Sequence, residues 1–166
     1  MAVLQRITTL WVESEDRIRL AGECADGGMV RLWLTRRLVD RLLPLLLDWL
    51  VGNARDDLRA SLMQEFAQQA ASRALAPQPA VVAAAGDAVL VQAVTVTSGA
   101  HALRLSFRAS EAPEDTRAWD LTLEQQSLRQ WLAIVHDQYR KAEWPMDLWP
   151  AWIAATTTTP PEAALH

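Results

Sequence analysis

The sequence predicts an α+β fold: two antiparallel β-meander-plus-helix units in a pseudo-two-fold duplicated arrangement, with an extra helix and a Trp-rich C-terminal arm. Three observations predict it. Met29 to Leu34 alternates, with Val30, Leu32 and Leu34 on one face and Met29, Arg31 and Trp33 on the other, the period-two pattern of a half-buried strand. That strand hands over at Thr35 to the most apolar stretch of the chain, residues 36–51. A fainter copy of the hand-over, Leu121-Thr122, lies near the C-terminus, and with a two-residue slip Leu42-Leu43 matches Trp131-Leu132 and Asp48 matches Asp137.

Taken in order, Val3 to Val12 is rich in β-branched residues and reads as a first strand, closed by the polar cluster Glu13 to Asp16. Arg17 to Gly22 alternates, Ile18 and Leu20 inward against Arg17 and Arg19 outward. Ala25-Asp26-Gly27-Gly28 is a tight-turn signal leading into the strand at Met29. Thr35 is placed to cap a helix in which Leu38, Leu42, Leu43, Leu46 and Leu50 recur at helical spacing, with Gly52 as its stop. Pro44 falls on the narrow polar stripe of Arg37, Arg41 and Asp48, where water can satisfy the carbonyl that it frees. Because that stripe is narrow, the helix is expected to be covered on more than one side. Asn53 to Asp57 offers new cap residues, and Leu58, Leu62, Phe66 and Ala70 give a second helix an apolar face running to about Leu75.

The second half repeats the order. After the linker, Ala88 to Thr97 reads as a strand, Ser98-Gly99 as a turn, and Ala102 to Arg108 as another strand with Leu103, Leu105 and Phe107 inward. A polar loop, Ser110 to Thr116, and a short strand, Arg117 to Leu121, follow. Thr122-Leu123-Glu124-Gln125 then opens a helix as a capping box, with Leu128, Trp131, Leu132, Val135 and Tyr139 as its buried stripe. The divisions are residues 1–75 for the first unit with its extra helix, 76–86 for an Ala/Pro linker, 87–142 for the second unit, 143–155 for the arm and 156–166 for a disordered tail.

Composition narrows the function classes. The net charge of −4 divides into ten basic and ten acidic residues up to Gly86, then six and ten, so neither half carries the positive cluster that duplex nucleic acid requires. A single cysteine, Cys24, allows no internal disulfide and no multi-cysteine zinc site. No run reaches the roughly 18 apolar residues of a membrane span, and MAVLQRITTLW lacks the order of a signal peptide, so the expected compartment is the cytoplasm.

No catalytic motif emerges, and no cofactor or metal is expected. His136 and Asp137 are sequence neighbours pointing about 100° apart on a helix, which denies them a dyad and leaves His136 as a partly exposed helix residue. His101 reads as a polar turn residue, and His166 is terminal. Cys24 has no cation close in sequence and reads as a structural thiol. The carboxylate pairs Glu15-Asp16, Asp56-Asp57 and Glu114-Asp115 fall in loops or at a helix start, where solvation or capping explains them.

Binding surfaces are the better prospect. Arg17, Arg19, Arg31 and Trp33 share a predicted outer sheet face, with Arg104 and Arg108 in corresponding places, a combination on which single-stranded nucleic acid can stack. Trp144, Trp149 and Trp152 crowd the arm, either as an interaction surface or as a cap on their own core. The expected function is a non-enzymatic protein-protein interaction or assembly module acting as a homodimer. The alternative is a single-stranded nucleic-acid binder.

Overall fold

The computed structural model describes residues 1–52, 58–82, 88–110 and 117–154, and the chain is α+β. The strands are β1 (Ala2–Val12), β2 (Arg17–Cys24), β3 (Met29–Thr35), β4 (Ala88–Leu90), β5 (Ala93–Ser98), β6 (Ala102–Arg108) and β7 (Ala118–Glu124). The helices are α1 (Arg36–Val51), α2 (Leu58–Arg73), α3 (Gln125–Lys141) and the one-turn α4 (Ala151–Ala154).

All the strands join one mixed sheet in the order β4-β3-β2-β1-β7-β6-β5. β1, β2 and β3 form an antiparallel meander, as do β5, β6 and β7, while β1 with β7 and β3 with β4 pair in parallel. The two outermost strands are consecutive in the chain, separated only by Val91 and Gln92. Val91 N–H donates to Trp33 O at 3.0 Å and Gln92 N–H donates to Arg108 O at 2.9 Å. One run of chain therefore bonds to β3 where it begins and to β6 where it ends, and the sheet curls round until its two ends meet. This is why the single strand expected over 88–97 is split. Serving a neighbour first on one side and then on the other kinks the backbone, so that Val91 is buried and Leu90 exposed before Val94 and Val96 turn inward.

A register shift between Leu4 and Arg6 does similar work in β1. Before it Leu4 points inward; after it Ile7, Thr9 and Trp11 do, opposite Gly22, Leu20 and Ile18. Such a bulge moves the inward set by one residue without breaking the ladder.

The inward residues of the sheet and the stripes of α1 and α3 share one core. Thr35 Oγ1 accepts from Leu38 N–H at 3.2 Å, capping α1, and Gly52 ends it at φ 61°, where a side chain would be strained. Val39, Leu42, Leu43, Leu46 and Leu50 are buried along α1, and Pro44 sits inside the helix on the exposed side. Leu38, Leu47 and Trp49 are partly covered by the core, whereas Leu45 is 54% exposed. α1 rests on β3 and β5, and α3 on β1 and β7.

Three further sequence expectations are corrected. The predicted strand 117–121 instead runs from Ala118 to Glu124, and α3 starts at Gln125 rather than at Thr122. Leu121 and Leu123 pair with Leu105 and Leu103 and face the core, which outweighs a capping box on exposed Thr122. Glu124 is the N-cap and makes no side-chain cap bond. The apolar face of α2 is reversed. Leu62 and Phe66 point to solvent while Gln68 and Ala71 are buried, because α2 meets α3 through a polar seam around Arg129. His136, expected to be partly exposed, is buried. The cap residues Asn53 to Asp57, residues 83–86 of the linker, Glu114-Asp115 and residues 155–166 lie outside the described residues. Among the described residues, no helix is long and apolar enough to cross a membrane.

Candidate functional site

The C-terminal segment folds back on α3 through its tryptophans. Trp144 is 5% exposed, meets the Tyr139 ring edge-on at 5.0 Å and donates its indole N–H to Asp16 Oδ1 at 2.9 Å. Trp149 is 8% exposed and meets His136 and Tyr139 edge-on at 5.0 and 5.3 Å. Edge-to-face packing of this kind satisfies the ring quadrupoles while burying large apolar area. Trp152 is half-buried, with the Arg129 guanidinium 5.3 Å from its ring centre. The segment thus caps the core of its own subunit at Trp144 and Trp149 and leaves part of Trp152 in reach of solvent.

Between this segment and the last turn of α1 lies a cleft of about 890 Å³. Leu47, Asp48, Trp49, Val51 and Gly52 form one wall; Asp147, Leu148, Trp149, Pro150 and Trp152 form the other. Trp49 is fixed by donating its indole N–H to Gly99 O at 3.3 Å, in the turn between β5 and β6. Asp48 and Asp147 are both exposed. The last turn of α1 has no basic residue, so the negative end of the helix dipole and two carboxylates converge on the cleft.

The outer face of the β1-β2-β3-β4 side carries the predicted arginines in register. Leu10, Arg19, Trp33 and Leu90 stand in one cross-strand row, with Arg31 opposite Ala21 and Arg17 opposite Thr35 in the flanking rows. Arg17, Arg19, Arg31 and Trp33 are all half-buried, and Arg17 pairs with Glu15 at 3.7 Å. Part of this face is already covered: Val81 is buried, and its N–H donates to Thr8 Oγ1 at 2.8 Å.

The third surface is α2. Leu62, Met63 and Phe66 are 47%, 62% and 64% exposed, an apolar strip on the outside of the helix. Its inner side is polar. Gln68 Nε2 donates to Arg129 O at 2.9 Å, Gln130 Nε2 donates to Ala71 O at 2.9 Å, and Arg129 Nη2 donates to Gln64 Oε1. Burial depresses the Arg129 guanidinium pKa, and Arg129 Nη1, Gln68 Oε1 and Ser72 Oγ are buried without a partner among the described residues.

No family model, curated protein or solved structure matches this chain.

The titratable groups have structural surroundings. Burial lowers the His136 pKa, nearby Arg140 adds to the effect and Asp137 opposes it. Tyr139 donates its hydroxyl to Asp40 Oδ1 at 2.7 Å, and burial, with that bond, pushes its pKa up. Cys24 is buried, which raises its pKa, with Asp26 adding to the rise. Among the described residues no three His, Cys, Asp or Glu side chains gather at metal-ligand spacing. Sequence reasoning did not single out Trp49, Asp48 and Asp147 as neighbours, nor Arg129 as buried. Local periodicity has no means of pairing residue 49 with residue 149. The one available signal was an acidic residue, not a basic one, in the last turn of α1.

Proposed function

We propose that this chain is a non-enzymatic assembly module that pairs with a second copy of itself through the outward face of α2. The observation that carries the reading is the exposure of Leu62, Met63 and Phe66. Burying each such side chain contributes roughly 1.5–3 kcal/mol, whereas the polar inner seam of α2 holds buried atoms without partners among the described residues. An antiparallel pairing centred on Leu62 sets Arg59 of one copy opposite Glu65 of the other, and the reverse, as a two-fold interface requires. Sedimentation over a dilution series tests it. The chain should run as a dimer that dissociates on dilution, and Phe66→Glu should be a folded monomer. A wild-type monomer insensitive to concentration overturns the proposal.

We infer in addition that the two meander-plus-helix units are internal copies. Val39, Leu42, Leu43, Leu46 and Leu50 of α1 stand to Leu128, Trp131, Leu132, Val135 and Tyr139 of α3 at one constant separation along the chain, and every one is buried. The same separation carries Leu32 and Leu34 onto Leu121 and Leu123, with no slip. Each helix rests on the last strand of its own unit and the first strand of the other. Sparse identities with matched burial are what an old duplication leaves behind, since packing constrains apolar character more than residue type.

A second reading rests on Arg19 and Trp33 standing opposite each other on the outer sheet face, with Arg31 alongside. If single-stranded nucleic acid stacks there, binding falls with rising salt and drops in Trp33→Ala. Flat titrations with mixed-sequence single strands at low salt remove it, and the net charge of −4 weighs against it.

A further inference from the structure

We propose that the cleft between the end of α1 and the tryptophan segment receives a basic side chain, arginine or lysine, presented by a partner peptide. The proposal is independent of α2 pairing and concerns a different surface. Three features converge on that ligand. The cleft presents Trp49 and Trp152, half-buried indoles whose faces attract cations, and Trp152 already holds one guanidinium, that of Arg129, 5.3 Å from its centre. Asp48 and Asp147 stand on opposite walls, and among the described residues neither has an ion-pair partner. The carbonyl end of α1 adds its own negative potential, with no basic residue in the last turn of the helix. Arg129 is buried and is not among the lining residues, so among the described residues the charged groups lining the cleft are the two carboxylates.

The size fits a peptide rather than a metal ion. A volume of about 890 Å³ holds several residues, and carboxylates on opposite walls suit a delocalised or bulky cation better than a point charge that needs close oxygens.

The test is an NMR titration of the full chain labelled with ¹⁵N. The probe is N-acetyl-arginine methylamide, and its neutral isostere N-acetyl-citrulline methylamide is the control; indole N–H signals are assigned with Trp49→Phe and Trp152→Phe. The arginine probe should shift the Trp49 and Trp152 signals with a dissociation constant on the order of 1 mM, and citrulline should bind at least about tenfold more weakly. The double variant Asp48→Asn with Asp147→Asn should lose about tenfold in affinity while its other signals stay in place, and added salt should weaken the wild type. Equal response to citrulline, unchanged affinity in the double variant, or shifts centred on Trp33 overturn the proposal. Because the readout is site-resolved and does not depend on oligomeric state, its failure leaves α2 pairing untouched, and failure of that pairing leaves it untouched in turn.

Discussion

α1 and α3 bury corresponding residues against corresponding strands yet end differently. α3 closes with Arg140 and Lys141, and Lys141 Nζ pairs with Asp137 Oδ2 at 2.7 Å, so basic charge meets the negative end of its dipole. The chain then turns back and seals that end with Trp144 and Trp149. α1 has Asp48 at the position corresponding to Asp137, no basic residue after it in the helix, and a cleft at its end. Packing is thus alike where both helices meet the shared core, and the two differ where they leave it. A buried position only has to be apolar and tolerates different residue types, while a helix end is set by the charges and segments around it.

The largest expected effect sits in the shared part. Leu43 and Leu132 occupy corresponding positions and are fully buried, so Leu43→Ala and Leu132→Ala should each cost about 3 kcal/mol in urea unfolding. A cost below about 1 kcal/mol at one site only would break the equivalence of the two helices.

The next effect belongs to α3 alone. His136 is buried with its pKa lowered, chiefly by desolvation, and the corresponding position in α1 is Leu47, which cannot titrate. The unfolded chain takes up this proton near the ordinary value of 6.5, before the folded one does. Stability is therefore full above that pH and declines as pH falls from it toward the lower folded value. In His136→Leu the decline between pH 6.5 and that value should flatten, leaving the carboxylate contribution at lower pH. An unchanged slope assigns the pH dependence elsewhere.

The smallest effect should separate the two helices. Asp48→Asn relieves a negative charge at the negative end of α1 and should stabilise by roughly 0.5 kcal/mol at low salt. Asp137→Asn in α3 removes the Lys141 pair and should be neutral or destabilise by about 0.3 kcal/mol. Two shifts of the same sign would mean that the helix ends are electrostatically alike.

Much of the fold was legible because it follows local rules. The alternation of β2 and β3, the Thr35 cap, the Gly52 stop and the stripes of α1 and α3 each rest on residues within a few positions of one another. Reading failed where a distant partner decided. Thr122 is a good cap residue in isolation, yet pairing of Leu121 and Leu123 with β6 carried the strand past it. The 88–97 run alternates well as one strand, but closure of the sheet demanded neighbours on both sides. The apolar face of α2 reads as an inward face, although the described fold places Gln68 and Ala71 inward instead.

The sequence by itself determined the α+β class, the two meanders with their helices and the composition of the core, because hydrophobic periodicity and capping are set by short-range geometry. Only the tertiary structure decided that the ends of the sheet meet, that Trp144 and Trp149 close their own core, and that Asp48, Trp49, Asp147 and Trp152 face one cleft. These depend on segments well separated along the chain, about a hundred positions for the two walls of the cleft, whose meeting no local pattern encodes. It is fixed by which faces remain to be buried once every element has formed.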